Sequence, residues 1–288
     1  MKHAAALLAG WSVLGATLSP LSPLSPLSAQ TVPTSQPALI NIVREDVKLG
    51  HGEAHAKHEA GWPAALARAK SPDFYLAVAA MTGPTETWYI TSYASHSALG
   101  ESMKRDEADA VLSAELGRLS RVDAEHLNSV RVVQALGRKD LSYGAFPDLA
   151  LARFFEIATF RVRPGFEPGF EAAAKAYGMA ATKAGPNASW RVYEVVAGMA
   201  APTFFVFSTT KMFGEFDVAM REGAAMVSAM TPDELAAWGK FSREGLISTE
   251  TQRFRVDPGQ SYVDAATRAR DPDFWMPKKT AGRAPGQN

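Results

Sequence analysis

The chain of 288 residues contains no cysteine. This absence excludes disulfide bonds, thiolate metal sites, a cysteine nucleophile and a lipid anchor on cysteine. An excess of one charge sign is also missing, because 30 basic residues balance 30 acidic ones. A balanced chain has no global attraction to nucleic acid or to an anionic membrane, so we expect neither as a partner. The 47% of hydrophobic residues predicts a globular protein that is held together by its core.

Several familiar catalytic patterns are missing as well. The sequence has no His-Glu-x-x-His zinc motif, no glycine-rich phosphate loop and no Gly-x-Ser-x-Gly elbow. Nothing in it requires a cofactor, and we predict no metal site. Motifs therefore leave open whether the protein is an enzyme.

The amino-terminal segment predicts export. A short apolar run from Ala4 to Leu18 follows a positively charged start, and small residues come after it. This order is typical of a secretory signal peptide. We expect residues 1–29 to be removed, with a cut after Ala16 as the alternative, and the mature protein to be periplasmic or secreted with no integral membrane segment. An uncleaved membrane anchor is the competing interpretation, but spanning a bilayer takes roughly 20 apolar residues.

The rest of the chain is similar to itself at an offset that grows from 115 to 119 residues. Matched positions include Trp62 with Tyr177, Tyr75 with Trp190, Trp88 with Phe204 and Ser142 with Ser261. The offset drifts in one direction, as insertions in loops would produce. The ordered matches predict a duplication. The predicted segments are a first repeat at 39–143, a second repeat at 153–263, linkers at 30–38 and 144–152, and a flexible tail at 264–288.

Each repeat predicts the same order of elements. The strands are expected at 39–47, 75–81, 87–93 and 129–136, and again at 154–162, 189–197, 203–208 and 248–256. Helices follow the first and third strands of each repeat, and glycine turns at Gly83 and Gly198 separate the second and third strands. This β-α-β-β-α-β order is the split βαβ pattern of ferredoxin-like folds, so the predicted class is α+β. Two such units with their bare sheet faces together would form one barrel within the chain.

The second helical region of each repeat is expected to be long, from Ser95 to about His126 and from Thr209 to about Gly245, with Ser95 and Thr209 or Thr210 as N-caps. His126 is expected to be solvated at the end of its helix.

Strand and glycine positions carry a family resemblance. The residues concerned are Val43–Gly50, Gly83 and Trp88-Tyr89-Ile90, echoed by Phe160–Gly165, Gly198 and Phe204-Phe205-Val206. With them the chain resembles the dimeric α+β barrel superfamily over residues 39–263, especially its NIPSNAP-type and antibiotic-biosynthesis-monooxygenase-like domains. The resemblance implies a tandem barrel that is a monomer with an internal pseudo-dimer or a homodimer. It also implies that haem is a compatible cofactor, because the superfamily includes haem enzymes beside cofactor-free oxygenases; the fold alone does not decide the chemistry.

Three histidines lie close together near the start of the first repeat. His51, His55 and His58 are spaced to share one face of a helix with Trp62. At the offset of 115, the second repeat carries on that face Phe166, Phe170, Ala173 and Tyr177. Residues of this kind pack against a sheet. We therefore expect the imidazoles to face the sheet of the first repeat or a cavity above it.

Three interpretations of these histidines stay open. They can be partly solvated residues at a helix start, or line a pocket, or bind a metal ion. The metal interpretation is weakened because His51 and His58 are about 10 Å apart along a helix. We predict that His51, His55, His58 and Trp62 bind a small apolar or aromatic molecule. The alternatives are a monooxygenase or haem-dependent enzyme that uses one of these histidines, and a non-catalytic structural or interaction module.

Overall fold

The computed structural model of the protein describes residues 31–185 and 187–276. The predicted signal peptide lies outside the described residues. Within those two ranges, the helices are too short or too polar to cross a membrane.

Eight strands form the centre of the protein. They are β1 (Leu39–Val47), β2 (Tyr75–Ala80), β3 (Glu86–Tyr93), β4 (Leu127–Tyr143), β5 (Phe154–Val162), β6 (Trp190–Ala197), β7 (Thr203–Thr210) and β8 (Leu246–Val256). They close into a barrel in the order β1-β3-β2-β8-β5-β7-β6-β4, and every neighbouring pair is antiparallel. Strands β1–β4 make the first half and β5–β8 the second. The pairs β2–β8 and β4–β6 join the halves, so the closed sheet has no free edge.

Helices cover the outer face of the barrel. The first half has α1 (Gly52–Glu59), α2 (Gly61–Ala69), α3 (His96–Ala108) and α4 (Ala110–Asp123); the second has α5 (Glu167–Ala184), α6 (Glu215–Ser228) and α7 (Pro232–Glu244). The sequence pattern predicted one long helix where α3 and α4 stand. Asp109 divides it, because its carboxylate accepts hydrogen bonds from the backbone N–H groups of Val111 and Leu112 and starts a new helix.

Two predicted helix starts have different outcomes. Ser95 caps α3 as expected, with its hydroxyl accepting a hydrogen bond from the backbone N–H of Ala98. The expected cap at Thr209 or Thr210 is wrong. Strand β7 continues through Thr210, and α6 begins only after Gly214.

Alternate side chains of each strand point into the barrel and toward the helices. Trp88 and Phe205 belong to the hydrophobic cluster inside the barrel, to which all eight strands contribute. Phe204 faces the helices and packs on Phe170. The expected match of Trp88 with Phe204 is therefore wrong by one residue: the barrel pairs Trp88 with Phe205, at an offset of 117. A shift of one residue moves a side chain to the opposite face of a strand.

Ser142 and Ser261 make the same contact in the two halves. The hydroxyl of Ser142 accepts a hydrogen bond from the backbone N–H of Val192 on β6, at 2.9 Å. The hydroxyl of Ser261 accepts one from Ala77 on β2, also at 2.9 Å. Each bond joins the end of one half to the second strand of the other half. The two serines thus hold the barrel closed at equivalent places.

The segment from residue 264 differs from the expected flexible tail. It forms α8 (Ala265–Arg270) and α9 (Pro272–Trp275), and the carboxylate of Asp264 caps α8. Trp275 is only 5% exposed and donates its indole N–H to the carbonyl oxygen of Ala150. This aromatic anchor orders the segment as far as residue 276; residues 277–288 lie outside the described part of the chain.

Candidate functional site

The three predicted histidines contact different partners in the structure. His55 is 1% exposed and faces β1. His51 and His58 are half-buried: Nδ1 of His51 lies 3.1 Å from Nδ1 of His126, and Nε2–H of His58 donates to the carbonyl oxygen of Leu119 at 2.9 Å. His126, expected to be solvated, is thus partly buried beside His51. The three imidazoles do not form one wall.

Trp62 lies apart from them on the next helix. It packs in the apolar cluster between α2, α4 and the sheet, with Leu66 and Tyr262. Helix α1 ends at Glu59 and α2 begins at Gly61, so the expected stripe does not run along one continuous helix.

His55 belongs to a buried group of ionisable side chains, together with Glu45, Glu59 and Asp123. One nitrogen or oxygen atom from each side chain lies within 4.8 Å of those from the other three. Nε2 of His55 is 2.9 Å from Oε2 of Glu45 and 3.6 Å from Oδ1 of Asp123. All four residues are at most 7% exposed. We refer to these four residues as the buried polar cluster.

Three elements bring the buried polar cluster together. Glu45 occupies a helix-facing position of β1, on the opposite face from Ile42 in the barrel interior. His55 and Glu59 are four residues apart on α1 and therefore share one face of that helix. Asp123 is the last residue of α4, which packs against α1. Residues far apart in sequence thus meet between the sheet and the helices.

Burial dominates the electrostatics of this cluster. Burial, assisted by the charges of Glu45 and Asp123, raises the pKa of Glu59 to about 9. Burial also raises the pKa of Glu45, an effect that the hydrogen bond with His55 opposes. Among the described residues, Oε1 of Glu59 and Oδ1 of Asp123 have no hydrogen-bond partner.

The second half replaces the buried polar cluster with hydrocarbon. At the offset of 115, Phe160, Phe170 and Ala174 stand where the first half has Glu45, His55 and Glu59. The ring of Phe170 is 5.5 Å from that of Phe160 and 5.8 Å from that of Phe241. Phe241 therefore contacts Phe170 much as Asp123 approaches His55. The fold does not need polar groups in this layer.

The sequence did not single out Glu45 or Asp123 as site residues. A signal for Glu45 was available, because its match at the offset of 115 is Phe160, and an exchange of charge for hydrocarbon at a helix-facing position is unusual. Asp123 offers no such signal. It ends a charged helix, and only the packing of α4 on α1 turns it inward.

A cleft of about 520 Å³ opens on the helix side of the second half. It lies between α5, α6 and α7 and the strands β5, β6 and β7. Its walls include Phe170, Tyr177, Trp190, Met226 and Trp238, with Glu156 and Ser208 among the polar groups. The ring of Tyr177 is 5.3 Å from that of Trp190 and 5.9 Å from that of Trp238. These rings are tilted by 49° and 34° relative to Tyr177 and give the cleft an aromatic wall.

Comparison with solved structures finds proteins that have a similar fold. The chain is similar to a monooxygenase-type protein from Fusobacterium nucleatum, with 10% identity and a TM-score of 0.50 over 76% of this chain and 91% of that one. A monooxygenase-type protein from Lactobacillus acidophilus gives 6% identity and a TM-score of 0.49, covering 79% and 97%. A mutant chlorite dismutase from Candidatus Nitrospira defluvii gives 11% and 0.48, covering 78% and 94%. The similarity to the Fusobacterium nucleatum protein concerns the fold, a closed antiparallel barrel with helices on its outer face.

Comparison of the sequence with known families and proteins found no match. No protein-family model matches the chain. No curated protein matches it.

Proposed function

We propose that the protein binds a small, flat, apolar or aromatic molecule in the cleft of the second half. The observation that supports this function is the cleft itself. Its volume of about 520 Å³ lies within the range of roughly 300–1,000 Å³ that small-molecule sites occupy. The rings of Tyr177, Trp190 and Trp238 offer faces against which a flat molecule can stack.

Polar groups at the edge of the cleft would orient the ligand. Burial raises the pKa of the Tyr177 hydroxyl, so this group is a hydrogen-bond donor at neutral pH. Glu156 is held by an ion pair with Arg253 at 2.8 Å. A ligand with an oxygen atom at one end would therefore place that atom at Tyr177 and its apolar body against the tryptophans.

Titration with the apolar fluorophore N-phenylnaphthylamine tests this function. Gly223 lies on α6, and a Cβ atom there would stand 3.5 Å from the hydroxyl of Tyr177, so Gly223→Leu fills the cleft without forcing the backbone. Gly100→Leu on α3 is the matched control, because a Cβ there meets no atom within 4 Å. We expect saturable binding by the wild type and by Gly100→Leu, and at least about tenfold weaker binding by Gly223→Leu.

Two results would contradict the cleft as the binding site. One is the absence of saturable fluorescence enhancement with the wild type. The other is equal affinity of Gly223→Leu and the wild type, which would place the fluorophore on another surface.

Haem, which the family resemblance implies as a compatible cofactor, does not fit the cleft of the second half or the surroundings of His55. In the second half, Phe170 stands at the position of His55, and the described residues that line the cleft include no histidine. In the first half, His55 is enclosed by Glu45, Glu59 and Asp123 and leaves no space for a macrocycle beside its ring.

Oxygenation of the bound molecule is the second candidate function. It is favoured by the barrel that this chain shares with the monooxygenase-type protein from Fusobacterium nucleatum. Such a similarity concerns the fold and leaves the chemistry open. Oxygen consumption during incubation with an aromatic ligand of the cleft would support it, and binding without consumption would favour a carrier or a non-catalytic interaction module.

We further propose that the two halves are copies of one ferredoxin-like unit and that the chain is its own pseudo-dimer. The equivalent strands stand at offsets of 115 for Tyr75 and Trp190, 117 for Trp88 and Phe205, and 119 for Ser142 and Ser261. One chain then completes the barrel, so a monomer is expected in light scattering. We also retain export to the periplasm or the medium as a proposal, which detection of a shortened amino terminus in the secreted protein would test.

A further inference from the structure

The buried polar cluster holds more carboxyl groups than its own cation can balance. It contains three carboxyl groups and one imidazole. Among the described residues, His55 is the only basic side chain within 4 Å of these carboxyl groups. Charges at this depth are stable only when they are paired, protonated or bound to a metal ion. A proton or a bound cation would therefore stabilise the cluster.

Two of its oxygen atoms also lack a partner. Oε1 of Glu59 and Oδ1 of Asp123 form no well-aligned hydrogen bond with any described residue, although both side chains are more than nine-tenths buried. The hydroxyl of Tyr89 and the indole N–H of Trp62 face Glu59 and oppose the rise of its pKa, but they leave Oε1 without an aligned donor. Buried acceptors are normally satisfied. Two unsatisfied buried oxygens in one cluster of possible metal ligands point to a missing ligand.

We propose that Glu45, His55, Glu59 and Asp123 bind one divalent first-row transition ion. Ligand atoms at about 2.0–2.2 Å from such an ion are up to roughly 4.4 Å apart when they stand on opposite sides of it. The four side chains already place one donor atom each within 4.8 Å of all the others. Small side-chain movements complete the coordination.

The donor types select the class of ion. Carboxylate oxygens alone suit magnesium and calcium, whereas imidazole nitrogen suits zinc, iron, copper and nickel. Three carboxylates with one imidazole therefore favour ions such as Mn²⁺, Fe²⁺, Co²⁺ or Zn²⁺. This site lies in the first half, so it is separate from the cleft proposed above.

A second group of imidazoles must be distinguished from this site. Nδ1 of His51 lies 3.1 Å from Nδ1 of His126, and the two half-buried rings could also hold an ion. Two nitrogens at this distance equally form one hydrogen bond when one of them carries a proton. The experiment therefore needs a variant in each group.

Titration of the chelator-treated full-length protein with Co²⁺ tests the proposal through the visible absorbance of the bound ion. We expect one Co²⁺ per chain. Glu59→Gln and Asp123→Asn keep the shape of the side chain and remove a charged ligand, so each should weaken binding at least about tenfold. His126→Ala is the control and should leave the affinity unchanged.

Three outcomes would overturn the site: no saturable absorbance with the wild type, undiminished binding by Glu59→Gln and Asp123→Asn, or loss of binding in His126→Ala. Far-ultraviolet circular dichroism checks that the variants fold. If the cluster variants do not fold, a comparison of the wild type with His126→Ala distinguishes the buried polar cluster from the pair of His51 and His126. Retained binding of one ion then supports the buried polar cluster, and lost binding assigns the ion to the histidine pair.

Discussion

Nε2 of His55 lies 2.9 Å from Oε2 of Glu45, in a layer where the second half packs Phe170 against Phe160. The corresponding position of the two halves thus carries an ion-pairing group in one and hydrocarbon in the other. Since the phenylalanines satisfy the packing of this layer, the polar pair is dispensable for the fold. A buried polar pair at a position that hydrocarbon can fill is a candidate functional site.

Removal of His55 should destabilise the protein more than a surface substitution would. We expect His55→Ala to lower the free energy of unfolding by about 3–5 kcal/mol, because Glu45 would stay buried without its partner. Urea denaturation at neutral pH measures the change. His96→Ala, at an exposed position of α3, should stay within about 0.5 kcal/mol of the wild type. A loss below about 1 kcal/mol for His55→Ala would show that the cluster is solvated or rearranges easily.

Transfer of the second half's residues into the first should be tolerated. The variant Glu45→Phe, His55→Phe, Glu59→Ala, Asp123→Phe exchanges the buried polar cluster for the set around Phe170. Replacing buried ionic groups by packed hydrocarbon is often neutral or stabilising by about 1–4 kcal/mol. We expect the metal-free variant to be at least as stable as the metal-free wild type in urea denaturation. A clear loss of stability would mean that the two layers differ in shape as well as in polarity.

The two serine contacts should contribute equally to barrel closure. Ser142→Ala and Ser261→Ala each leave a buried backbone N–H, that of Val192 or Ala77, without its acceptor. Each should therefore lower the free energy of unfolding by about 1–3 kcal/mol. The double variant should show the sum, because separate sites are additive. Ser113→Ala on the exposed face of α4 is the control. An effect from only one of the two serines would contradict the equivalence of the halves.

Trp275 should anchor the carboxy-terminal helices. Its ring belongs to the hydrophobic cluster of the barrel interior, and its N–H bonds to Ala150. We expect Trp275→Ala to cost about 3–5 kcal/mol of unfolding free energy, whereas Met276→Ala, at an exposed position, should cost little. Thermal denaturation of the two variants measures the difference. Equal melting temperatures would mean that this segment behaves as the flexible tail the sequence predicted.

Much of the fold could be predicted from local patterns. The strands at 39–47 and 154–162 have the predicted bounds, because alternation of apolar and polar residues is a local property. The glycine predicted in each hairpin is also confirmed. Gly83 and Gly198 both have positive φ, and a Cβ on Gly198 would overlap the carbonyl oxygen of Val132.

The predictions from sequence were wrong where a single residue determines which face of a strand a side chain occupies, or whether a segment is ordered. The match of Trp88 with Phe204 failed because a single-residue shift inverts a strand, and the third strands differ by one residue more than their sequences suggest. The tail was misjudged because the order of α8 and α9 depends on one aromatic side chain reaching a distant carbonyl group.

The sequence by itself determined the eight strands and their order in two similar halves, and it indicated His55 as one of four candidate site residues. Only the tertiary structure decided what surrounds that histidine. Glu45 and Asp123 are 78 positions apart in the chain, and nothing local in either one indicates that they meet. They become neighbours because Glu45 on β1 and Asp123 at the end of α4 both lie against His55 on α1, and a shared environment of this kind depends on packing rather than on sequence distance.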